Sequence, residues 1–306
     1  MLVLETNSLT KKYKQHVAVD HVNMHIEKGD IYGFVGENGA GKTTIIRLVC
    51  GLAAPCGGDY NLFGVNSNST EILKAREKVS GIVEAVSLTP SMTAVDNIKF
   101  QAILANKKLN DHEINQLISR VGLNPKEIEN KKVGSFSLGM RQRLGIAITL
   151  INDPEFIILD EPMNGLDPKG FVEVRDTIVE LNKQGITFLI SSHILSELEK
   201  VCTKIGFISH GKLLKELTIQ ELHQQSKPRI EIETKEPSEV AEVLEKKLGI
   251  KSYEIEKSFI CIYDSIDIND VMKCLVKNSI TVLNICKKDD TIETYYMKLM
   301  GGKVDA

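Results

Sequence analysis

One stretch near the start of the chain has the residue types and spacing needed to bind a chain of phosphates. Residues 36–43 match the pattern G-x-x-x-x-G-K-[ST] in full, between a short apolar run and a stretch with apolar residues at helical spacing. Glycines let the backbone fold closely around an anion, and the free amides of a helix start face its negative charge. We expect Lys42 to reach the β- and γ-phosphates and the Thr43 hydroxyl to bind Mg²⁺. The residues predicted to bind the nucleotide here are Gly36, Glu37, Asn38, Gly39, Ala40, Gly41, Lys42, Thr43 and Thr44.

An acidic pair supplies groups that hydrolysis of such a nucleotide needs. Asp160 and Glu161 end the apolar run that begins at Phe156, which is typical of a buried parallel strand. We expect Asp160 to bind Mg²⁺ together with Thr43, and Glu161 to orient or deprotonate the attacking water. An ordinary acidic loop after a strand is the alternative, and the neighbouring phosphate loop makes it the weaker interpretation.

A histidine after the next predicted strand completes the candidate catalytic set. His193 follows the apolar run 186–191. Parallel strands end at one edge of a sheet, so His193 should lie beside Asp160 and Glu161. A lone histidine is usually structural or solvated, but this position favours contact with the γ-phosphate or with Glu161. The predicted catalytic residues are therefore Glu161, His193 and Lys42.

A mixed α/β architecture is needed to position these residues. Strands alternate with helices from residue 30 to about 208, which predicts a largely parallel sheet with ligands at its carboxyl edge. Alternation of apolar and polar residues at 2–6 and 17–26 predicts antiparallel strands ahead of the phosphate loop. The helical pattern from Thr93 to about Gly134 predicts a helical insertion. The other predicted elements are turns at Gly57-Gly58 and 66–69, strands at 79–84, 156–160, 186–191 and 205–208, and helices at 168–183 and 194–200.

A second helix start has the features of an anion site. Ser137 is expected to cap a helix over 138–150, whose first amides are then free to face an anion. The spacing does not say whether this site serves the same nucleotide as Lys42. It could act in trans, across a two-fold dimer.

The character of the sequence changes near residue 226, where we expect a domain boundary. The predicted element order after it is βαββαβ, the split-βαβ or ferredoxin-like pattern of an α+β domain. We therefore predict a nucleotide-binding domain at 1–225 and an accessory domain at 226–306, ending in an amphipathic helix at about 291–300. The accessory domain could be regulatory, could support a dimer, or could steady the first domain.

Bulk composition excludes several classes of protein. The net charge is -3, so no field favours nucleic acid or an anionic membrane surface. No apolar run approaches the roughly 20 residues that span a bilayer, so any membrane role must come through a partner chain. The six cysteines form no CxxC pair, which favours reduced thiols in a cytosolic protein over a disulfide frame or zinc site. The first residues carry no apolar signal-peptide core.

Residues 1–220 strongly resemble the ATP-binding subunits of ABC transporters. The motifs that carry the resemblance, in the family's order, are the Walker A loop at 36–43, the signature segment FSLGMRQR at 136–143, Walker B with the catalytic glutamate at 157–161, the D-loop at 165–167 and the switch histidine, His193. The resemblance implies an α/β P-loop NTPase fold of the ABC ATPase type. It also implies an antiparallel β subdomain and a helical subdomain at about 90–150.

The resemblance further implies how the site is completed. Tyr13 matches the aromatic residue that stacks on adenine, a role that its local sequence alone does not separate from that of a surface tyrosine. Two subunits, either a homodimer or paired ATPase subunits, would hold two ATP molecules head to tail. Each ATP would lie between Lys42 of one subunit and Ser137 and Gly139 of the other. A separate integral-membrane permease would hold the pair peripherally at the cytoplasmic, inner face of the cell membrane.

Departures from the family pattern point to a subgroup. The signature segment usually reads LSGGQ, and here Leu138 replaces its first glycine and Met140 its glutamine. The family places a glutamine after the strand at 79–84, where this chain has Glu84, which we predict to bind Mg²⁺; a solvated loop glutamate is the alternative. Both departures resemble ATPase subunits of exporters of peptide antibiotics, such as bacitracin and lantibiotic self-protection systems. Export of such compounds is the expected function.

Two other classes of function remain as alternatives. A soluble ABC-type ATPase acting on ribosomes or DNA would usually carry two cassettes or a long coiled coil, and this chain has one phosphate loop and no sustained heptads. A P-loop GTPase or small-molecule kinase would leave the signature segment unexplained. A GTPase would also normally carry an N-K-x-D motif, which the sequence lacks. No nucleic-acid partner is expected.

Overall fold

The computed structural model describes residues 1–225 and 229–288, together with the isolated helical positions 295 and 299. The chain forms two compact units, Met1–Ile219 and Gln220–Ala306. The sequence placed a boundary near residue 226, and the units meet a few residues earlier, where a short helix begins.

The first unit contains eleven strands and eight helices within its described residues. The strands are β1 (Leu2–Tyr13), β2 (His16–Val22), β3 (His25–Glu27), β4 (Ile31–Val35), β5 (Gly57–Leu62), β6 (Val65–Asn66), β7 (Val79–Ile82), β8 (Phe156–Asp160), β9 (Thr187–Ser192), β10 (Lys204–Ser209) and β11 (Lys212–Thr218). The helices are α1 (Lys42–Val49), α2 (Ile72–Arg76), α3 (Ala94–Leu104), α4 (Asp111–Arg120), α5 (Pro125–Ile128), α6 (Leu138–Thr149), α7 (Pro168–Lys183) and α8 (Leu195–Leu198). Short 3-10 turns lie at Val133–Ser135 and Leu150–Asn152, and α9 (Ile219–Gln225) follows β11.

The main sheet brings the ends of the predicted site strands together. Its order is β11-β10-β4-β9-β8-β7, and all neighbours are parallel except the edge strand β11, which the sequence did not predict. Strands β4, β8 and β9 are buried along their whole length, as their continuous apolar runs require. The register pairs Val35 with Ser192 and Asp160 with Ser191. The carboxyl ends of these three strands therefore lie side by side.

The antiparallel sheet contains the main error of local prediction. Its order is β2-β1-β5-β6, with β3 also paired to β1. The turn predicted at Gly57-Gly58 is wrong, because both residues belong to β5. Gly58 has a φ of 67° beside a register shift between Asn7 and Thr10, and a Cβ there would lie 2.2 Å from the carbonyl oxygen of Ser8. This glycine is required by a bulge, where β1 approaches closely, and not by a turn.

Helical structure fills the predicted insertion between β7 and β8. Helices α3 and α4 begin with complete capping boxes, Thr93 with Asp96 at α3 and Asn110 with Glu113 at α4. The signature helix α6 starts at Ser137, as predicted, with the Ser137 side chain accepting a hydrogen bond from the Met140 amide at 3.2 Å. A local side-chain cap thus determines where each helix begins.

The second unit is a small α+β domain with the predicted element order. Its elements are β12 (Arg229–Glu233), α10 (Pro237–Leu248), β13 (Tyr253–Glu256), β14 (Phe259–Ile262), α11 (Ile268–Lys277) and β15 (Asn284–Lys288). The alternation of residues 229–234 predicts an edge-type strand. This prediction is wrong, because the antiparallel sheet has the order β13-β14-β12-β15, in which β12 is central. The predicted helix at 291–300 lies outside the described residues, apart from positions 295 and 299. Among the described residues, no helix has the length and apolar character to cross a bilayer.

Candidate active site

The phosphate loop connects β4 to α1 through residues whose backbone only glycine adopts readily. Gly39 and Gly41 have φ values of 83° and 111°. A Cβ on Gly41 would lie 2.5 Å from the carbonyl oxygen of Ala18. Gly41 therefore has a steric reason as well as a conformational one, whereas Gly39 has only the conformational one, and α1 begins directly after Gly41 at Lys42.

Lys42 is folded back over the loop. Its ammonium donates to the carbonyl oxygens of Gly36 at 2.6 Å and Glu37 at 3.2 Å, and lies 3.5 Å from a carboxylate oxygen of Glu161. The side chain is 5% exposed. A cation so deeply buried is tolerated because these oxygens replace its water. The loop, the lysine and Glu161 thus concentrate charge at one point, at the carboxyl edge of the sheet.

A chain of hydroxyls and a carboxylate joins the phosphate loop to two strands. The Thr43 hydroxyl donates to one oxygen of Asp160 at 2.9 Å, and the Ser191 hydroxyl donates to the other at 2.5 Å. The Glu161 amide donates to the Ser191 oxygen at 2.9 Å. Ser191 orients both acidic residues. No role was predicted for Ser191 from the sequence, although it is the last residue of the apolar run 186–191 that precedes His193.

Glu161 and His193 meet as predicted. Nδ1 of His193 lies 2.7 Å from Oε2 of Glu161. Glu161 has a φ of 49°, a left-handed conformation that costs a non-glycine residue free energy and turns the chain sharply after β8. Burial raises the pKa of Glu197 nearby, and the charge of His193 opposes that rise. The Glu161 carboxylate lies between the Lys42 ammonium and the His193 imidazole.

The donor set at Thr43 and Asp160 fits Mg²⁺. Both supply oxygen ligands, which this hard cation prefers. No group of three or more histidine, cysteine, aspartate or glutamate side chains in the described residues could hold a metal by itself. A site of one carboxylate and one hydroxyl is completed by substrate phosphates and water, which is the usual way in which Mg²⁺ is bound.

The structure places Glu84 elsewhere than the sequence predicted. Its carboxylate forms an ion pair with Arg47 of α1, not with Thr43 or Asp160. Arg47 is one helical turn after Thr43, so Glu84 and Asp160 contact side chains on successive turns of α1. Glu84 has a φ of 67° and a side chain that is 60% exposed. Arg47 was not predicted to be a functional residue. The available signal was its i, i+4 spacing from Thr43, which places both side chains on the same face of α1.

The signature residues lie at the start of α6. Ser137 is exposed at the start of α6, whereas Gly139 is buried. A Cβ on Gly139 would lie 3.0 Å from the Cα of Gly170 on α7, so glycine lets the two helices pack closely. Within residues 1–225, no hydrogen bond or ion pair that the structure shows joins Ser137 or Gly139 to Lys42.

An open cavity next to the phosphate loop has room for the rest of a nucleotide. Its volume is about 280 Å³, and Tyr13, His16 and Ala18 line it together with residues of the loop. Tyr13 is 43% exposed, and it pairs with His16 at the turn between β1 and β2. Sequence analysis identified Tyr13 but missed His16, which carries no motif. The tyrosine ring, the glycine loop and Glu161 therefore surround one cavity.

Comparison with known proteins agrees with this arrangement. The ABC transporter family model matches residues 19–164. The bacitracin transport ATP-binding protein BcrA of Bacillus licheniformis is 41% identical over 98% of both chains. The lantibiotic transport ATP-binding protein SrtF of Streptococcus pyogenes is 40% identical over 70% of this chain and 90% of its own. The solved structure of cbiO1 from Clostridium perfringens, part of the cbiONQ transporter complex, covers 81% of this chain and 96% of its own, with a TM-score of 0.64 and 26% identity.

The extent and identity of these matches settle the family. Three relatives exceed 35% identity over nearly the full length of this chain and of their own, so the second unit is part of the likeness as well. Solved ATP-binding cassettes share the fold of the first unit. This chain belongs to the ABC transporter family, as one of its ATP-binding, ATP-hydrolysing subunits.

Proposed function

We propose that this chain uses Mg²⁺-dependent ATP hydrolysis to drive export of peptide antibiotics or related compounds through a separate membrane permease. The observation that carries the proposal is the joined network of Lys42, Glu161 and His193 beside Thr43 and Asp160. The substrate class rests on the relatives, which are named for bacitracin and lantibiotic transport. Such export would protect the cell that carries it.

Each residue of the network has a role in the proposed mechanism. Lys42 and the loop amides bind the phosphates and stabilise the charge of the transition state. Glu161 orients and deprotonates the attacking water, and His193 holds the carboxylate by its 2.7 Å contact. When phosphates bind, the Lys42 ammonium contacts them in place of Glu161. The Glu161 carboxylate is then free to bind water.

Thr43 and Asp160 are the proposed Mg²⁺ ligands in the phosphate-bound site. The ion would neutralise phosphate charge and polarise the γ-phosphate. Ser191 keeps the Asp160 carboxylate turned towards Thr43. We also propose Glu84 as an additional ligand, direct or through water. Its partner in this structure is Arg47, one helical turn after Thr43.

We propose that the active form is a head-to-tail dimer with an ATP at each of two sites. The exposed Ser137 and the amides that begin α6 would contact the γ-phosphate held by Lys42 of the other subunit. Mixing two inactive variants tests this. A subunit with Lys42→Ala and a subunit with Ser137→Glu form one intact site only if the site is shared.

Mixing these variants is therefore expected to restore ATPase activity in the mixed dimers, whereas each variant alone stays inactive. A mixture of Lys42→Ala with Glu161→Gln is the control. Both changes lie in the same half of the site, so every site of the mixed dimer carries one of them and no activity should return. A double variant, Lys42→Ala with Ser137→Glu, mixed with the unmodified chain gives the decisive comparison. If the sites are shared, each site of the mixed dimer carries one of the two changes, and the mixed dimer should be inactive. Absence of any recovery in the first mixture would show that the sites are not shared.

The proposed permease surface lies around Glu84 and the signature helix. A groove of about 530 Å³ there is lined by the apolar residues Val86, Leu88, Pro90 and Leu138 and by Arg141. The helix α3 of the same subdomain exposes Phe100, Ile103 and Leu104 to solvent. Apolar surface of this kind favours a partner chain over water. Docking there would hold the subunit at the cytoplasmic face of the membrane.

Deletion of the gene in its own host tests the function as a whole. We expect the deletion to increase susceptibility to bacitracin or lantibiotics, the unmodified gene to restore resistance, and a Glu161→Gln copy to fail. Purification of the tagged chain should recover a multi-span membrane protein. Unchanged susceptibility together with recovery of ribosomes or DNA would favour the soluble ATPase alternative, which the transport relatives do not favour.

A further inference from the structure

A lysine beside the nucleotide cavity contacts the proposed base-stacking ring. Nζ of Lys11 lies 5.1 Å from the centroid of the Tyr13 ring. The same ammonium donates a hydrogen bond to the carbonyl oxygen of Ala54 at 2.6 Å. The Lys11 ammonium therefore makes two contacts, one with the Tyr13 ring and one with the backbone oxygen of Ala54.

Ala54 belongs to the loop that follows the phosphate-loop helix. The amides of Leu52 and Ala53 both donate to the carbonyl oxygen of Arg47 in the last turns of α1, at 2.8 and 3.2 Å. The Cys56 amide donates to the carbonyl oxygen of Thr10 at 2.8 Å. This loop is thus tied to α1 at one end and to β1 at the other, and Lys11 connects it to the Tyr13 ring.

The placement of the ammonium leaves one ring face for a ligand. Tyr13 lines the nucleotide cavity, and Lys11 is not among the residues that line it. The ammonium lies over one face of the ring, so the other face is the one on which a base can stack. Attraction between a cation and the negative face of an aromatic ring holds the two together and draws electron density from the ring.

We propose that Lys11 is a positioning residue for the nucleotide base: it holds the Tyr13 ring with its free face towards the cavity, ready to stack on a purine. This inference rests on the proposed stacking role of Tyr13. The ring is 43% exposed near a hairpin turn, so without Lys11 it samples other rotamers. Ordering the ring on binding then costs affinity, whereas the phosphate chemistry is unaffected.

Binding and turnover by the full-length chain test the proposal. The variants are Lys11→Met, which keeps the apolar stem, Lys11→Arg, which keeps the cation, and Lys12→Met, which removes the adjacent charge. Lys11→Met should raise the Kd and KM for ATP about 3–10-fold, with kcat within a factor of about two. Lys11→Arg and Lys12→Met should resemble the unmodified chain.

Inorganic tripolyphosphate separates base binding from phosphate binding, because it lacks a base. Lys11→Met should leave the affinity for tripolyphosphate unchanged. An equal loss for ATP and tripolyphosphate would overturn the proposal in favour of a structural role at Ala54. An unchanged ATP affinity in Lys11→Met, with a loss in Tyr13→Ala, would reject Lys11 and keep Tyr13 as the stacking residue. Unchanged ATP affinity in Tyr13→Ala would reject both.

Discussion

Two carboxylates approach the same helix of this protein, and they are held in different ways. Asp160 ends a fully buried strand, is 7% exposed and accepts hydrogen bonds from Thr43 and Ser191. Glu84 follows the shorter strand β7, is largely exposed and has a single partner, Arg47, which is 41% exposed. Both contacts lie on α1, one turn apart. The difference shows that a carboxylate at the end of a buried strand is held in one orientation, whereas a carboxylate in an exposed loop can change its partner.

The energetic consequence follows from burial. A buried carboxylate that loses a hydrogen-bond donor remains desolvated, which costs about 1–3 kcal/mol. An exposed ion pair contributes roughly 0–1 kcal/mol, because water competes for both groups. Asp160, the proposed metal ligand, is therefore held in one orientation, whereas Glu84 can leave Arg47 at little cost. Four substitutions test this contrast, in order of decreasing expected effect.

Glu161→Gln should have the largest effect, since it removes the proposed general base at the rigid end of the site. The ATPase rate is expected to fall about 10²–10⁴-fold, while ATP binding is retained and the dimer is trapped. Rate measurements and size-exclusion chromatography with ATP check both parts. Turnover equal to that of the unmodified chain would remove Glu161 from the catalytic role.

Ser191→Ala should destabilise the rigid end. It removes the donor to the buried Asp160 and the acceptor for the Glu161 amide, so we expect a loss of about 1–3 kcal/mol in the free energy of unfolding. The Mg²⁺ concentration for half-maximal ATPase activity should rise as well. Ser80→Ala on β7 is the control for a serine change in the same sheet. Equal stability of the two variants in urea would contradict a special role for Ser191.

Glu84→Ala should change metal dependence and not stability. We expect the half-maximal Mg²⁺ concentration to rise several-fold, with the free energy of unfolding changed by no more than about 0.5 kcal/mol, as for most surface substitutions. Glu84→Gln, which restores the amide usual in the family, should lie closer to the unmodified chain in ATPase rate. An unaltered Mg²⁺ response in Glu84→Ala would leave the residue as a solvated loop glutamate.

The Arg47–Glu84 pair should give the smallest effect. A double-mutant cycle of Arg47→Met and Glu84→Ala is expected to yield a coupling energy of about 0–1 kcal/mol, which high salt reduces further. Urea unfolding of the four proteins at low and high salt measures it. A coupling well above this range, insensitive to salt, would mean that the Glu84 loop is held as firmly as Asp160.

The parts of the site that the sequence predicted are those encoded by covalent neighbours. Lys42 and Thr43 lie in one loop with its glycines, and Asp160 and Glu161 end one apolar run. Placing His193 beside Glu161 needed one further rule, that parallel strands end at the same edge, and their contact of 2.7 Å agrees with it. Local capping likewise placed the start of α6 at Ser137.

The errors arose where local pattern and tertiary contact disagree. Gly57-Gly58 resembles a turn, because glycine pairs are common there, but the close approach of Ser8 requires the glycine within a strand. The alternation of β12 resembles that of an edge strand, and only pairing with both β14 and β15 makes it central. Strand order is decided by partners far along the chain, which a short window does not contain.

The sequence by itself determined which groups can do chemistry: a phosphate loop, the carboxylate of Asp160 that we propose as a metal ligand, the carboxylate of Glu161 that we propose as general base, and a histidine, each attached to a recognisable element. Only the tertiary structure decided which side chains those groups contact. Ser191 bridges Asp160 and Glu161, Arg47 engages Glu84, and Lys11 lies over Tyr13. The physical reason is that backbone pattern encodes periodicity and burial, whereas the partner of a polar side chain depends on which distant element packing brings within a hydrogen bond.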